Sequence, residues 1–345
     1  MLPDSRAAES IALGIRVPRA AHRHGFLQRL RSPSKIGLIG LNLVVYVLLL
    51  RWAGENIHLG KLADYFRQIP VWAVVGTLLL NLLALVLSGH RLALFVARDF
   101  RTAFSITNIG YALNTLLPLR LGEAIKIYLS HSLFRIPLTG IFAASAAEKL
   151  ADLVTILLLG IMVLVFAASA HIQAGTLLSV SILAILGIGA VALFRRNIVR
   201  IVKLLPRGSR MRRISIELHK HASSYPPGRI LLATGGIWAL NVLLVYFSFN
   251  TYLSEVRIGI FESIALLVVM ALAIAIPSAP AGLGLFEAGI VAYLTQTSGI
   301  GNEAALAAAT VFHLAITLPQ LIVTAWLLWG RSGALLKVQA VDSAP

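Results

Sequence analysis

The sequence predicts an all-α, polytopic integral membrane protein with about six full spans and two inverted-repeat re-entrant helical hairpins. Three observations carry that prediction. Of the 345 residues, 58% are hydrophobic and 13% charged, against about a quarter charged in soluble globular chains. Apolar windows of spanning or near-spanning length recur along the chain, measured against the roughly 20 residues that a hydrocarbon core asks of a helix. Two further apolar regions are each broken by proline and glycine, and they resemble one another.

The uninterrupted windows lie at about 36–50, 71–89, 138–168, 175–194, 230–253 and 303–329. The first is short, and Arg51 and Trp52 are expected to snorkel at its end. Residues 1–35 carry arginines and histidines but no apolar core, so they read as a basic cytoplasmic tail and not as a cleavable signal peptide. Residues 36–330 then form a single transmembrane domain, and 331–345 a second cytoplasmic tail.

A net charge of +16 is explained by the positive-inside rule. Basic residues gather before the first span, after the second (Arg91, Arg98 and Arg101), over 195–229, and after the last span (Arg331 and Lys337). The intervening loops differ: 169–174 has only His171, 298–302 has no basic residue, and 51–70 offsets Arg51, Lys61 and Arg67 with Glu55 and Asp64. All basic segments share one face if each interrupted region is a hairpin that returns to its starting side. A pair of short full spans at each place gives the same parity. The basic loop 195–229 reads as a solvated inside loop near anionic lipid heads, and without aromatic interleaving or a binding module it gives no ground for a nucleic-acid partner. No cysteine occurs and no HExxH pattern is present, so neither metal nor cofactor is expected.

The interrupted regions, 102–134 and 258–297, carry the chemistry. With the spans that follow them they make repeat one, about 102–168, and repeat two, about 258–329. Glu123 and Glu287 each follow a Pro/Gly break, and Glu123 to Lys149 covers the same 26 residues as Glu287 to His313. Alanine-rich stretches, 143–147 and 304–309, fall between them in both. Inverted repeats with broken helices are a recurrent construction of secondary transporters, in which the matching interruptions mark the substrate site. Pro118, Pro277 and Pro280 remove amide donors, and Gly122, Gly282 and Gly284 adopt conformations other residues avoid. The freed backbone groups must face protein or a water-filled cavity.

A helix restarting at Gly122 or Gly284 presents amides suited to a phosphate or carboxylate. Arg120 offers a bidentate fork for a phosphate, Lys126 adds charge on a similar face, and Asn114 opens the same stretch. Glu123 and Glu287 are candidate proton carriers or exchanging salt-bridge partners. In AAEKLADL, Glu148 and Asp152 share a helix face with Lys149 in reach of Asp152; buried charges need partners, and Arg120 and Lys149 are the evident ones. Blander readings stand beside these. Arg120, Glu123 and Lys126 can be interfacial residues, Glu148 to Asp152 a closed structural salt-bridge group, and His313 a packing histidine as readily as a proton relay.

Together, NTLLPLRLGE (114–123), EKLAD (148–152) and SAPAGLGLFEAG (278–289) resemble the lysylphosphatidylglycerol synthase transmembrane-region family over about residues 36–330. The resemblance implies transbilayer movement of a lipid in the bacterial inner membrane, by a transporter with no catalytic residues. It points to Pro118, Arg120, Gly122 and Glu123, to Glu148 and Asp152, and to Pro280, Gly282, Gly284 and Glu287. Lys149 and His313 stand where the family often has arginine. The short tail after Trp329 leaves no room for an aminoacyl-transferase domain, so lipid aminoacylation is not expected. Membrane lipids are the expected ligands, and a homo-oligomer or a lipid-synthesis enzyme the expected protein partners. The rival readings are a polyprenyl-phosphate glycosyltransferase using Glu148 or Asp152 as base, and a non-transporting scaffold of a lipid-synthesis complex.

Overall fold

A computed structural model of the chain describes residues 47–48, 51, 53–117, 122–168, 226–275 and 280–329. The windows 175–194 and, for the most part, 36–50 lie outside these residues, as do both tails and nearly all of the basic loop. Every regular element among the described residues is helical.

Helix α1 (Leu59–Gln68) is short and amphipathic, and α2 (Val71–Val96) follows after Pro70. Its last turns extend past the apolar window at 71–89 and carry Arg91 inside the helix. Ala97, in the left-handed region at φ 49°, ends α2, and Asp99 starts α3 (Phe100–Leu116) by accepting the Thr102 amide at 2.9 Å, a standard N-cap. Helix α4 (Gly122–Phe134) packs back along α3. Arg135, again left-handed at φ 54°, turns the chain into α5 (Leu138–Ala168).

The second half repeats this order. A long helix, α6 (Pro227–Tyr252), is followed by two short ones, α7 (Ile260–Ala275) and α8 (Leu285–Ser298), and by the long α9 (Asn302–Trp329). Between α7 and α8 lie a 3₁₀ turn over Pro280–Gly282 and three left-handed residues, Ala281, Gly282 and Gly284. The short helices have 17, 13, 16 and 14 residues, or about 20–25 Å each at ~1.5 Å per residue, less than the ~30 Å hydrocarbon core. Helices α2, α6 and α9 are long and apolar enough to cross a membrane.

The two short-helix pairs open at opposite ends of the bundle. At one end, Arg98 donates to the Arg135 carbonyl at 3.5 Å, and Leu92, Phe95, Ala103 and Ile136 share a core with Ile230 at the start of α6. At the other, Ile69, Tyr252, Ile258, Ile300 and Ala304 pack together beneath α1, and His58 meets Glu303 at 3.1 Å. The closed ends of the pairs converge: the 3₁₀ turn touches α3, and Gln320 of α9 donates to Thr115 near the end of α3 at 2.9 Å.

Small residues allow the close approaches. The α9 run Ala304, Ala305, Ala307, Ala308 and Ala309 is buried, and a Cβ at Gly89 would sit 2.9 Å from the Phe104 backbone, as expected where helices associate without a water-driven hydrophobic force. Pro319 lies inside α9 and cannot donate to the preceding turn. Asn81 of α2 compensates, donating to the Ile316 carbonyl at 3.0 Å and reaching that of Ala315 at 3.5 Å. Thr77, Ser248 and Tyr252 tie α2 to α6 through buried hydroxyls at 2.6–2.8 Å. Outside, α2, α5 and α9 present large apolar side chains such as Leu79, Leu153 and Trp326, a surface suited to lipid and not to water.

Candidate functional site

Six charged side chains from α2, α4 and α5 form one continuous chain of ion pairs. Arg91 grips Asp152 with both terminal nitrogens, at 2.6 and 3.1 Å, and its Nε stands 3.7 Å from Glu148. The other oxygen of Glu148 lies 3.5 Å from Lys126, whose ammonium is 3.1 Å from Glu123. Glu123 in turn meets Lys149 at 2.9 Å. Signs alternate along the whole run, Asp152, Arg91, Glu148, Lys126, Glu123, Lys149, and cancel. Trp238 of α6 donates to Asp152 at 3.2 Å, and Asn114 of α3 to Glu123 at 3.3 Å.

Helix geometry makes this chain. Glu148 and Asp152 are one turn apart on α5 and face α2, where Arg91 lies near the cytoplasm-facing end predicted by charge, and Glu123 and Lys126 are neighbours on the first turns of α4. Gly110 of α3 makes room for the lysine: a Cβ there would overlap the Lys126 side chain at Cδ. Burial is graded. Side-chain exposure is 2% at Arg91, 4% at Lys126 and 7% at Glu148, but 24% at Glu123 and 52% at Lys149. Removing one member of the buried part would leave an unpaired buried charge, a loss of about 3–5 kcal/mol.

The second half holds a smaller counterpart. Glu287, in the first turn of α8, accepts the Gly284 amide at 2.7 Å with one oxygen and meets His313 Nδ1 at 2.6 Å with the other. Phe286 packs against the imidazole, 4.4 Å between ring centroids. The equal spacings seen in the sequence thus become two contacts of one kind: each second short helix begins with a glutamate that pairs with a basic side chain on the following long helix.

The structure sorts the predicted residues as follows. It unites Asn114, Glu123, Lys126, Glu148, Lys149 and Asp152 in the first cluster, and Gly284, Glu287 and His313 in the second. Lys149 does not pair with Asp152; Arg91 already saturates that carboxylate, and Lys149 turns to Glu123. Lys126 is committed to two carboxylates. Gly284 offers no free amide, because its N–H is taken by Glu287. Gly122 packs so tightly on α3 that a Cβ would overlap the backbone nitrogen of Asn114. Gly282 supplies a left-handed turn beside Pro280, whose side chain, like the whole of Pro118, Arg120 and Pro277, lies outside the described residues.

Arg91 is the member of the ionic chain that the sequence places among the basic residues following the span, and the structure puts it inside α2. Its neighbours Gly89 and His90 lower the hydropathy there, and its partner is 61 positions away. The available signal was the continuing apolar run Leu92–Val96.

The model of the lysylphosphatidylglycerol synthase transmembrane region matches residues 38–324 of this chain. The chain belongs to that family. Both ionic clusters and both helix breaks fall inside the matched span, and the family, with the apolar helices, makes the chain an integral membrane protein. A comparison with curated proteins finds no match.

Proposed function

We propose that this member of the family is a transporter, not an enzyme, that moves an anionic or phosphate-headed lipid between the leaflets of the bacterial inner membrane. The observation that carries the reading is the charge-neutral chain of ion pairs buried among apolar helices beside a helix break. Ionisable groups inside spans cost about 2.5–3.5 kcal/mol each on insertion scales and mark ion or substrate pathways by default. Six of them on three helices exceed what holding α2, α4 and α5 together needs, since apolar packing would do that more cheaply.

In this reading the short-helix pairs are re-entrant hairpins that dip into the bilayer from opposite faces. The bundle end carrying Arg98, Arg101, Arg135 and Arg229 is cytoplasmic, as are both termini, and the other end mixes Arg51, Lys61, Arg67 and Arg257 with Glu55, Asp64, Glu255, Glu262 and Glu303. The shared element order and the two matching glutamate contacts support inverted repeats, and rocking one repeat against the other exchanges access between faces. The head group crosses along the charged chain while the acyl chains stay in lipid. Glu287 and His313 are the candidates for coupling to a proton gradient.

The test is transport by purified protein in vesicles containing fluorescent phosphatidylglycerol, with externally added reductant bleaching whatever reaches the outer leaflet. Protein-containing vesicles are expected to bleach beyond the half seen in empty ones, with Arg120→Ala reduced to the empty-vesicle level while inserting normally. Equal bleaching in empty and protein-containing vesicles would overturn the reading, and product formation from a polyprenyl phosphate and a nucleotide sugar would replace it with an enzyme.

A further inference from the structure

We infer that Lys149 is a lateral capture site for the phosphate of a lipid head group, which takes the lysine by exchange with Glu123. This inference deepens the transport reading and rests on it for the ligand being a lipid. Three features of Lys149 set it apart from the other cations of the cluster.

The first is position. Helix α5 starts at Leu138, so Lys149 lies about 17 Å along its axis at ~1.5 Å per residue, close to the middle of a ~30 Å hydrocarbon core. The second is direction. Phe142, Ala146, Leu150 and Leu153 are exposed on α5, and their spacing defines one outward stripe. Lys149, half-exposed, sits on that stripe, so its ammonium borders the apolar exterior on one side and the buried ionic chain on the other.

The third feature is what happens to the partners. Withdrawing Arg91 would leave Asp152 with the Trp238 indole and no cation, and withdrawing Lys126 would take a shared cation from Glu123 and Glu148 at once. Withdrawing Lys149 leaves Glu123 with Lys126 at 3.1 Å and the Asn114 amide at 3.3 Å. Among the described residues Lys149 is therefore the cation of this cluster that pairs with a single carboxylate and is half-exposed, so lending it to a ligand loosens one ion pair and no other. A phosphate monoanion arriving along the stripe satisfies the ammonium that Glu123 gives up, and Glu123 then shares Lys126 with Glu148. Glu123 is the built-in competitor, and the strength of its bond to Lys149 sets the affinity for the head group.

Competition makes the two partners move in opposite directions, which a structural salt bridge would not do. The purified full-length protein is equilibrated in vesicles of phosphatidylglycerol and phosphatidylcholine, and the phosphatidylglycerol enrichment retained on it is measured by mass spectrometry. Lys149→Gln is expected to reduce the enrichment at least fivefold, Lys149→Arg to keep it, and Glu123→Gln to raise it. Wild-type enrichment in Lys149→Gln would overturn the inference, as would a fall in Glu123→Gln parallel to that of Lys149→Gln. Inorganic phosphate is expected not to displace the lipid; displacement would assign the site to a soluble anion and overturn lateral capture. The transport reading fails separately: a protein that retains phosphatidylglycerol through Lys149 but moves none across vesicles binds as inferred and is not a transporter.

Discussion

At the scale of the residue, the molecule is organised by who compensates whom. Arg91→Gln would leave Asp152 with the Trp238 indole but without its bidentate partner, and Glu148 with Lys126 alone. A stability loss of about 3–5 kcal/mol, read from unfolding in detergent, is the expected outcome, with Arg91→Lys recovering only part of it because an ammonium cannot reproduce the fork. Asn81 is a quieter case, needed because Pro319 frees carbonyls on α9. Asn81→Ala is expected to cost about 1 kcal/mol in the natural chain and less in a Pro319→Ala background, where the helix supplies its own donor; equal costs in both would sever the connection. At the surface, the Thr102 hydrogen bonds hold the Asp99 carboxyl below its ordinary range. A depressed folded value means the cap contributes fully above the unfolded pKa and is lost as pH falls through the folded one. The acid limb of a stability profile is therefore expected to flatten in Asp99→Asn, which retains a cap but does not titrate.

At the scale of the element, glycines decide how near α3 can come to its neighbours. Gly110 faces Lys126 and Gly122 faces the Asn114 backbone. The lysine stem can shift, whereas backbone cannot. Gly122→Ala is therefore expected to be the more damaging change, at about 1–3 kcal/mol, and Gly110→Ala the milder one, in thermal unfolding of the purified protein. The same elements show how far sequence reasoning reached. Four uninterrupted windows became α2, α5, α6 and α9, and both Pro/Gly regions became pairs of short helices, because length, hydropathy and helix breakers act locally. The glutamate spacings were legible for the same reason: Glu123 and Lys149 belong to consecutive packed helices, and so do Glu287 and His313. Arg91 with Asp152, and Asn81 with Pro319, were not legible. Each depends on helices distant in sequence lying side by side, and no local pattern encodes that neighbour. Helical spacing alone puts Lys149 within reach of Asp152 and cannot register that Arg91 saturates that carboxylate.

At the scale of the whole molecule, two halves share one element order but not one chemistry. The first half concentrates six charges; the second carries a glutamate–histidine pair and a left-handed turn. On the transport reading proposed above, head-group handling belongs to the first half, where the charges are concentrated. The transport reading requires the two short-helix pairs to enter from opposite faces, and the absence of native cysteine makes this directly measurable. Single cysteines replacing Arg98, Arg135, Glu255 or Gly299 are to be labelled in intact cells and in inverted vesicles with a membrane-impermeant maleimide. The account predicts labelling of positions 98 and 135 only from the cytoplasmic side, and of 255 and 299 only from the other. Labelling of 98 and 135 from opposite sides, or of 255 and 299 from opposite sides, would contradict it.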